Sequence, residues 1–254
     1  MQLSLHYGPP APLSSSDELL SAMPDQEFRT SRSTVPLLAW WSGGPAEQLL
    51  ATLGIKGAAA GTASFEYPVS PRCDSCKGRG KASFTDLMLE TERDVIAIEA
   101  KYRESLYETV GEWLGPPPHE NRRRVLEHWL RCCIGSEAST GDCERLVYQM
   151  VHRTASACHV ARRAGKSPHV VHLLFGEHHA DAYVTAVQQL ASVVRSALPV
   201  HFAVVYVATE DGRDRPSVDA DGTADAVRGA LLDRRELFQF AAPKVLLATR
   251  AGDA

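Results

Sequence analysis

A mixed α/β fold is what the patterning of this chain predicts, and three segments carry the prediction. Residues 84–89 and 95–102 are strand-like and are joined by the charged run 90–94, as in an antiparallel hairpin. Residues 169–175 and 201–208 are apolar strands separated by the amphipathic stretch 180–197, a βαβ unit whose strands run parallel and buried. Over residues 143–164 the apolar positions Leu146, Met150, Val151, Thr154, Ala157 and Val160 recur at helical spacing. A central sheet with antiparallel and parallel neighbours, flanked by helices, accommodates all three.

The remaining elements follow in chain order. Residues 1–35 carry Gly8, Pro9, Pro10, Pro12 and the serines 14–16, with no sustained period of 2 or 3.6. An irregular leader, partly wrapped on the core, is therefore expected ahead of one domain over residues 36–254. The segment VPLLAWWSGGPAEQLLATLGI reads as an apolar stretch, a break at Gly43 and Gly44, and a short helix with Leu49, Leu50 and Leu53 on one face. Residues 68–81 form a loop of Pro, Gly, Cys and basic residues. After the hairpin, SLYETVGEWL suits a helix that ends at Gly115, because Pro116, Pro117 and Pro118 cannot continue it. A second helix is expected over 121–133, then a loop over 135–142. The polar stretch 209–223 reads as a surface loop before a helix at 224–232 and an apolar end, 238–247, of undefined type.

Composition narrows the function. With 254 residues, 44% of them hydrophobic, the chain can bury one substantial core without requiring two. No apolar run approaches the roughly 20 residues of a membrane span, and Met1 is not followed by a signal-peptide pattern. A cytoplasmic protein with no membrane partner is expected. Six cysteines, with Cys132 and Cys133 adjacent, do not resemble a secreted disulfide framework and suggest reduced thiols or a metal. A net charge of −4 excludes a general nucleic-acid coat, so any contact with DNA or RNA must be local. Arg72, Lys77, Arg79 and Lys81 crowd one loop against the single acid Asp74 and are the candidate phosphate contacts. A homodimer is compatible with this composition.

The chemistry concentrates in VIAIEAKY. Strand alternation puts Val95, Ala97, Glu99 and Lys101 on one face and Ile96, Ile98, Ala100 and Tyr102 on the other. A turn centred near Glu92 places Asp86 across from residues 98–99, so Asp86 and Glu99 are expected to converge. Two carboxylates that close repel unless a cation lies between them. Mg²⁺, with Mn²⁺ as a substitute, is the natural occupant, because it prefers oxygen and uses one or two protein carboxylates. The Ala100 carbonyl could add a further oxygen. Lys101 would orient an attacking water or stabilise the transition state.

Together, FEYPV, GRGKASFTDLML and DVIAIEAKYRE resemble the PD-(D/E)xK phosphodiesterase superfamily, which includes restriction endonuclease-like and many other bacterial proteins. The resemblance covers about residues 64–175 and implies a restriction endonuclease-like α/β fold with Asp86, Glu99 and Lys101 as the catalytic trio. Thr85 stands where the family motif carries proline. The resemblance further implies that Glu66 helps order the water and that Gln149, with His152 or Arg153, faces the site. The expected activity is metal-dependent hydrolysis of phosphodiester bonds, in DNA first of all.

Plainer readings exist for the same residues. Glu99 and Lys101 could be a same-face surface ion pair, worth at most about 1 kcal/mol, although VIAIEA is apolar on both faces. Asp86 could merely start a strand. The segment CDSCKGRGK carries Cys73-x-x-Cys76, half of a zinc module that would need two more ligands, drawn from Cys132, Cys133 or Cys143. Two other functions therefore stand beside the nuclease. One is a nucleic-acid or protein binding module without turnover, and the other is a zinc-stabilised interaction protein.

Overall fold

The computed structural model describes residues 2–8, 12–29, 32–44, 46–56, 60–70, 82–117, 120–134, 141–176, 179–215 and 224–251. The chain opens with β1 (Gln2–Tyr7), β2 (Pro12–Leu13), α1 (Ser16–Ala22), α2 (Thr34–Ser42) and α3 (Ala46–Thr52). Strands β3 (Ala60–Val69), β4 (Ser83–Glu90) and β5 (Asp94–Tyr102) follow, then α4 (Val110–Leu114), α5 (Glu120–Cys133) and α6 (Tyr148–Ala164). The remainder is β6 (Ser167–Phe175), α7 (Ala180–Val193), β7 (His201–Val207), β8 (Thr209–Asp211), α8 (Ala224–Leu232), β9 (Phe238–Phe240) and β10 (Lys244–Arg250).

One eight-stranded mixed sheet organises the chain in the order β10-β7-β6-β5-β4-β3-β1-β2. Strands β5, β6 and β7 are parallel, as are β1 and β3, while β3, β4 and β5 form an antiparallel meander and β10 pairs antiparallel with β7. Each face of the sheet buries its own core. On one side Met88, Val95, Ala97, Val170 and Val204 pack beneath α4 to α7, around Trp129, Met150, Val151 and Leu190. On the other side Leu87, Leu89, Ile96, Ile98, Leu173 and Val205 pack beneath α1 to α3 and α8. The sheet is thus apolar on both faces, which is why β5 and β6 read as near-continuous hydrophobic runs. Among the described residues no helix is long and apolar enough to cross a membrane.

The leader departs from expectation. It is not irregular: β1 adds to the sheet in parallel with β3, and Leu19, Leu20, Met23 and Phe28 lie in the core. Pairing of β1 with a strand more than fifty residues away is a tertiary event that leaves no local period. Helix α1 does carry a local start signal, since Ser15 accepts from the Glu18 backbone and Glu18 reaches back to Ser14.

Three helices are shorter than expected. Residues 104–108 are irregular and α4 starts only after Thr109, where Thr109 and Glu112 form a capping box. Helix α6 starts at Tyr148 because the segment before it bonds to α4: Val110 N–H donates to Leu146 and Gly111 N–H to Glu144. Helix α7 stops at Val193. The C-terminal apolar stretch resolves into β9 and the edge strand β10.

Candidate active site

The site lies where β4 and β5 part. Their ladder runs from Glu90↔Val95 to Leu87↔Ile98. Beyond it β4 stays with β3 and β5 with β6, which opens a fork at Asp86 and Glu99. The last pair of the ladder, Leu87↔Ile98, stands next to Asp86 and Glu99, the level expected from a turn near Glu92.

The β3–β4 ribbon reverses its faces at the same level. Ala63, Phe65, Leu87 and Leu89 belong to the core under α1 to α3, whereas Tyr67 and Val69 pack toward α4 to α7. Thr85 and Ser83 likewise turn toward α6, bonding Arg153 and His152. The residue between the two halves of β3 is Glu66, with φ of 49°, a left-handed conformation that is strained for glutamate. The pairs on either side of it, Phe65↔Leu87 and Tyr67↔Thr85, bracket Asp86 on β4. Asp86 Oδ2 accepts the Ala100 N–H at 2.8 Å, so a carboxylate takes the ladder position that a β4 carbonyl would fill. An extended residue directs its N–H and C=O to the same side of the strand, so the Ala100 carbonyl faces the same fork.

Glu99 is buried and held by three side chains. Lys101 Nζ (2.9 Å) and Gln149 Nε2 (2.6 Å) donate to Oε1, and Arg153 Nε donates to Oε2 at 2.7 Å, joined there by Nη2. Arg153 also binds the Phe84 carbonyl at 2.6 Å and the Thr85 hydroxyl, which ties α6 across the open fork. Lys101 has a second partner in Glu104 Oε2 at 3.4 Å, and its ammonium lies 4.4 Å from the Tyr107 ring centroid.

The electrostatics divide the carboxyls. Burial and then the Glu99 charge push Asp86 well above the usual carboxylate range, against the opposite pull of Lys101 and Arg153. Burial would also raise Glu99, but Arg153 and Lys101 outweigh it and hold Glu99 low. Burial would lower Lys101, whereas Glu99 and Asp86 raise it and keep it charged. Glu66 is pushed up to about 7, by burial first and then by Glu27. His152 is lowered to about 3 by burial and Arg153, and its Nδ1 lies 2.8 Å from the Ser83 hydroxyl.

All five sequence candidates, Asp86, Glu99, Lys101, Glu66 and Gln149, line one cavity of about 800 Å³. Arg153 is the site residue that the strand pattern could not supply. The resemblance had offered it as an alternative to His152, and it lies one helical turn after Gln149, on the same side of α6. Glu27 and Glu104 also reach the cavity, from the leader and the irregular stretch after β5.

Arg72, Lys77, Arg79, Lys81, Cys73 and Cys76 lie outside the described residues. Cys132, Cys133 and Cys143 are buried in the core under α5 and α6, where burial keeps the Cys133 thiol protonated. Among the described residues no three His, Cys, Asp or Glu side chains form a metal cage. Asp86, Glu99 and the Ala100 carbonyl are the oxygen groups at the fork that could hold a hard cation.

A mixed sheet with an acidic, lysine-bearing fork between two core layers is the class of architecture that fold and cavity define. Residues 12–198 match the family described as Domain of unknown function (DUF6946), and the chain belongs to that family. No curated protein and no solved structure matches it.

Proposed function

We propose that this chain is a divalent-metal-dependent phosphodiesterase that hydrolyses nucleic acid, DNA first of all, on a PD-(D/E)xK-type core. The observation that carries the reading is the arrangement of Asp86, Glu99 and Lys101 around one cavity at the fork of β4 and β5. Asp86, Glu99 and the Ala100 carbonyl would hold Mg²⁺ or Mn²⁺, which when bound acidifies water and offsets charge developing on the phosphate. Lys101, fixed on Glu99 and kept charged by it, would orient the attacking water or stabilise the charge on phosphate oxygens. Gln149 and Arg153 fix the Glu99 rotamer, so the acid is positioned before substrate arrives. Glu66, poised near neutrality, can take the proton that the water gives up.

The test is incubation of the purified protein with plasmid, single-stranded DNA and RNA in Mg²⁺, Mn²⁺ or EDTA. Metal-dependent cleavage that disappears in Asp86→Asn supports the reading, and intact strands under every condition refute it. One observation favours a second reading, a binding module without turnover. Both oxygens of Glu99 already accept from Lys101, Gln149 and Arg153, an internally neutralised arrangement. Binding of nucleic acid that is indifferent to metal would select it.

A further inference from the structure

The cavity has a second chemical character that phosphate hydrolysis does not use. Its lining is also aromatic. Among the described residues three large hydrophobic side chains are exposed, Phe84 (51%), Tyr107 (50%) and Leu232 (36%), and the first two line this cavity. Exposed aromatic rings lining a polar cleft offer faces on which a planar ligand can stack. Phe84 is held in place through its backbone, because its carbonyl accepts from the buried Arg153.

A second pair of rings lines the cavity. Trp113 and Tyr148 stack at 3.8 Å between centroids with an interplanar angle of 11°. The backbone bonds that fasten α4 to the start of α6 hold them there: Tyr148 N–H donates to Glu108, and Val110 N–H to Leu146. The Arg122 guanidinium lies 5.5 Å from the Trp113 ring centroid, and Asn121 adds an amide beside it. Aromatic faces, a planar guanidinium and a side-chain amide around one cleft are the groups that stack on a nucleobase and bond its edge. A cavity of about 800 Å³ has room for a base with its sugar and phosphate.

We propose that the Phe84, Tyr107 and Trp113 rim seats an unstacked nucleobase, so the substrate is a single strand or a frayed end and not the interior of an intact duplex. This inference rests on the phosphodiesterase reading, because the phosphate attached to that base would lie at Asp86 and Lys101. A base inside duplex DNA keeps both faces stacked on its neighbours and presents only its edges. It cannot use aromatic faces set beside the scissile phosphate. Stacking is tolerant of base identity, so weak sequence preference follows.

The test compares a labelled single-stranded thymidine oligonucleotide, its fully abasic counterpart and a blunt duplex. Binding is measured in Ca²⁺, which takes the same oxygen ligands with looser geometry, and cleavage in Mg²⁺. The intact single strand should bind roughly tenfold to a hundredfold tighter than the abasic strand, as loss of base stacking dictates. Phe84→Ala should remove much of that difference while leaving the abasic affinity unchanged, and Phe84→Tyr should restore it. Trp113→Phe, which keeps a ring against Tyr148, should retain more of the difference than Trp113→Leu. Phe84 is half exposed, so Phe84→Ala keeps the fold. Equal affinity for intact and abasic strands, or a blunt duplex bound and cut as well as the single strand, would overturn the inference and leave the phosphodiesterase standing. Failure of the parent protein to bind or cut any strand would overturn both.

Discussion

Arg153 on α6 donates through Nε to Oε2 of Glu99 on β5 at 2.7 Å, and each of the two side chains is only 2% exposed. This interaction joins a helix to a strand across the fork and fixes the acid around which the rest of the site is arranged. Breaking it leaves a carboxylate buried beside one fewer cation, together with the Phe84 carbonyl and Thr85 hydroxyl that Arg153 also serves.

Arg153→Met should therefore destabilise the protein by about 3–5 kcal/mol, the cost of stranding one member of a buried pair. Adding Glu99→Gln should recover a large part of that loss, because the stranded charge is gone. Urea denaturation of the parent, the two single variants and the double variant measures the coupling. Additive effects would show that Arg153 acts through packing alone.

Asp86 and Lys101 should separate catalysis from folding. In EDTA, Asp86→Ala loses one hydrogen bond, to Ala100, but also loses repulsion with Glu99, so its stability should stay within about 1 kcal/mol of the parent. Mg²⁺ should raise the melting temperature of the parent by mass action, and that rise should shrink in Asp86→Ala and Glu99→Ala. Lys101→Ala should keep or strengthen the Mg²⁺ response, since a nearby positive charge is removed, yet lose turnover. Thermal melts with and without Mg²⁺, read beside cleavage assays, check the contrast. Full activity in all three variants would make the trio structural.

Glu66 should impose a pH dependence on the metal-free protein. Its carboxyl stands at about 7 in the fold against 4.5 ordinarily, so the fold favours the neutral acid. That contribution is complete below 4.5 and is lost as pH rises through 7. Relative to Glu66→Gln, which does not titrate, the parent should lose about 2 kcal/mol across this window, a figure reduced for its partial exposure. Denaturation in EDTA at a series of pH values measures the difference. A parent and variant that track each other would place Glu66 in solvent-like surroundings.

Neutralising Arg72, Lys77, Arg79 and Lys81 should weaken nucleic-acid binding. The slope of log affinity against log salt should flatten by up to about 0.7 for each single-strand phosphate, or about 0.9 for each duplex phosphate, that is no longer neutralised. Binding titrations across a salt series read this directly. An unchanged slope would mean that the four charges are merely solvated.

Local periodicity explains why much of this site could be read from the chain. In β5 the side-chain period of 2 places Glu99 and Lys101 with Val95 and Ala97, and the observed core on that face contains Val95 and Ala97. A short charged turn sets the hairpin register, which brings Asp86 level with Glu99. The βαβ unit over β6, α7 and β7 was legible because its strands are buried on both sides and its helix is amphipathic.

Tertiary structure decided the rest. Parallel pairing of β1 with β3 depends on interactions between distant segments, and no period within residues 1–35 encodes it. The face reversal at Glu66 and Asp86 arises from one left-handed residue in a strand, at a glutamate where nothing in the sequence marks positive φ. Two of the three partners of Glu99, Gln149 and Arg153, come from α6, which lies fifty residues away and is brought there only by packing on the sheet. Residue type and spacing thus determined which groups could do chemistry on β4 and β5, because those relations are set within a few residues. Which side chains neutralise Glu99, and which rings border the cavity, depended on how helices from elsewhere in the chain close over the fork.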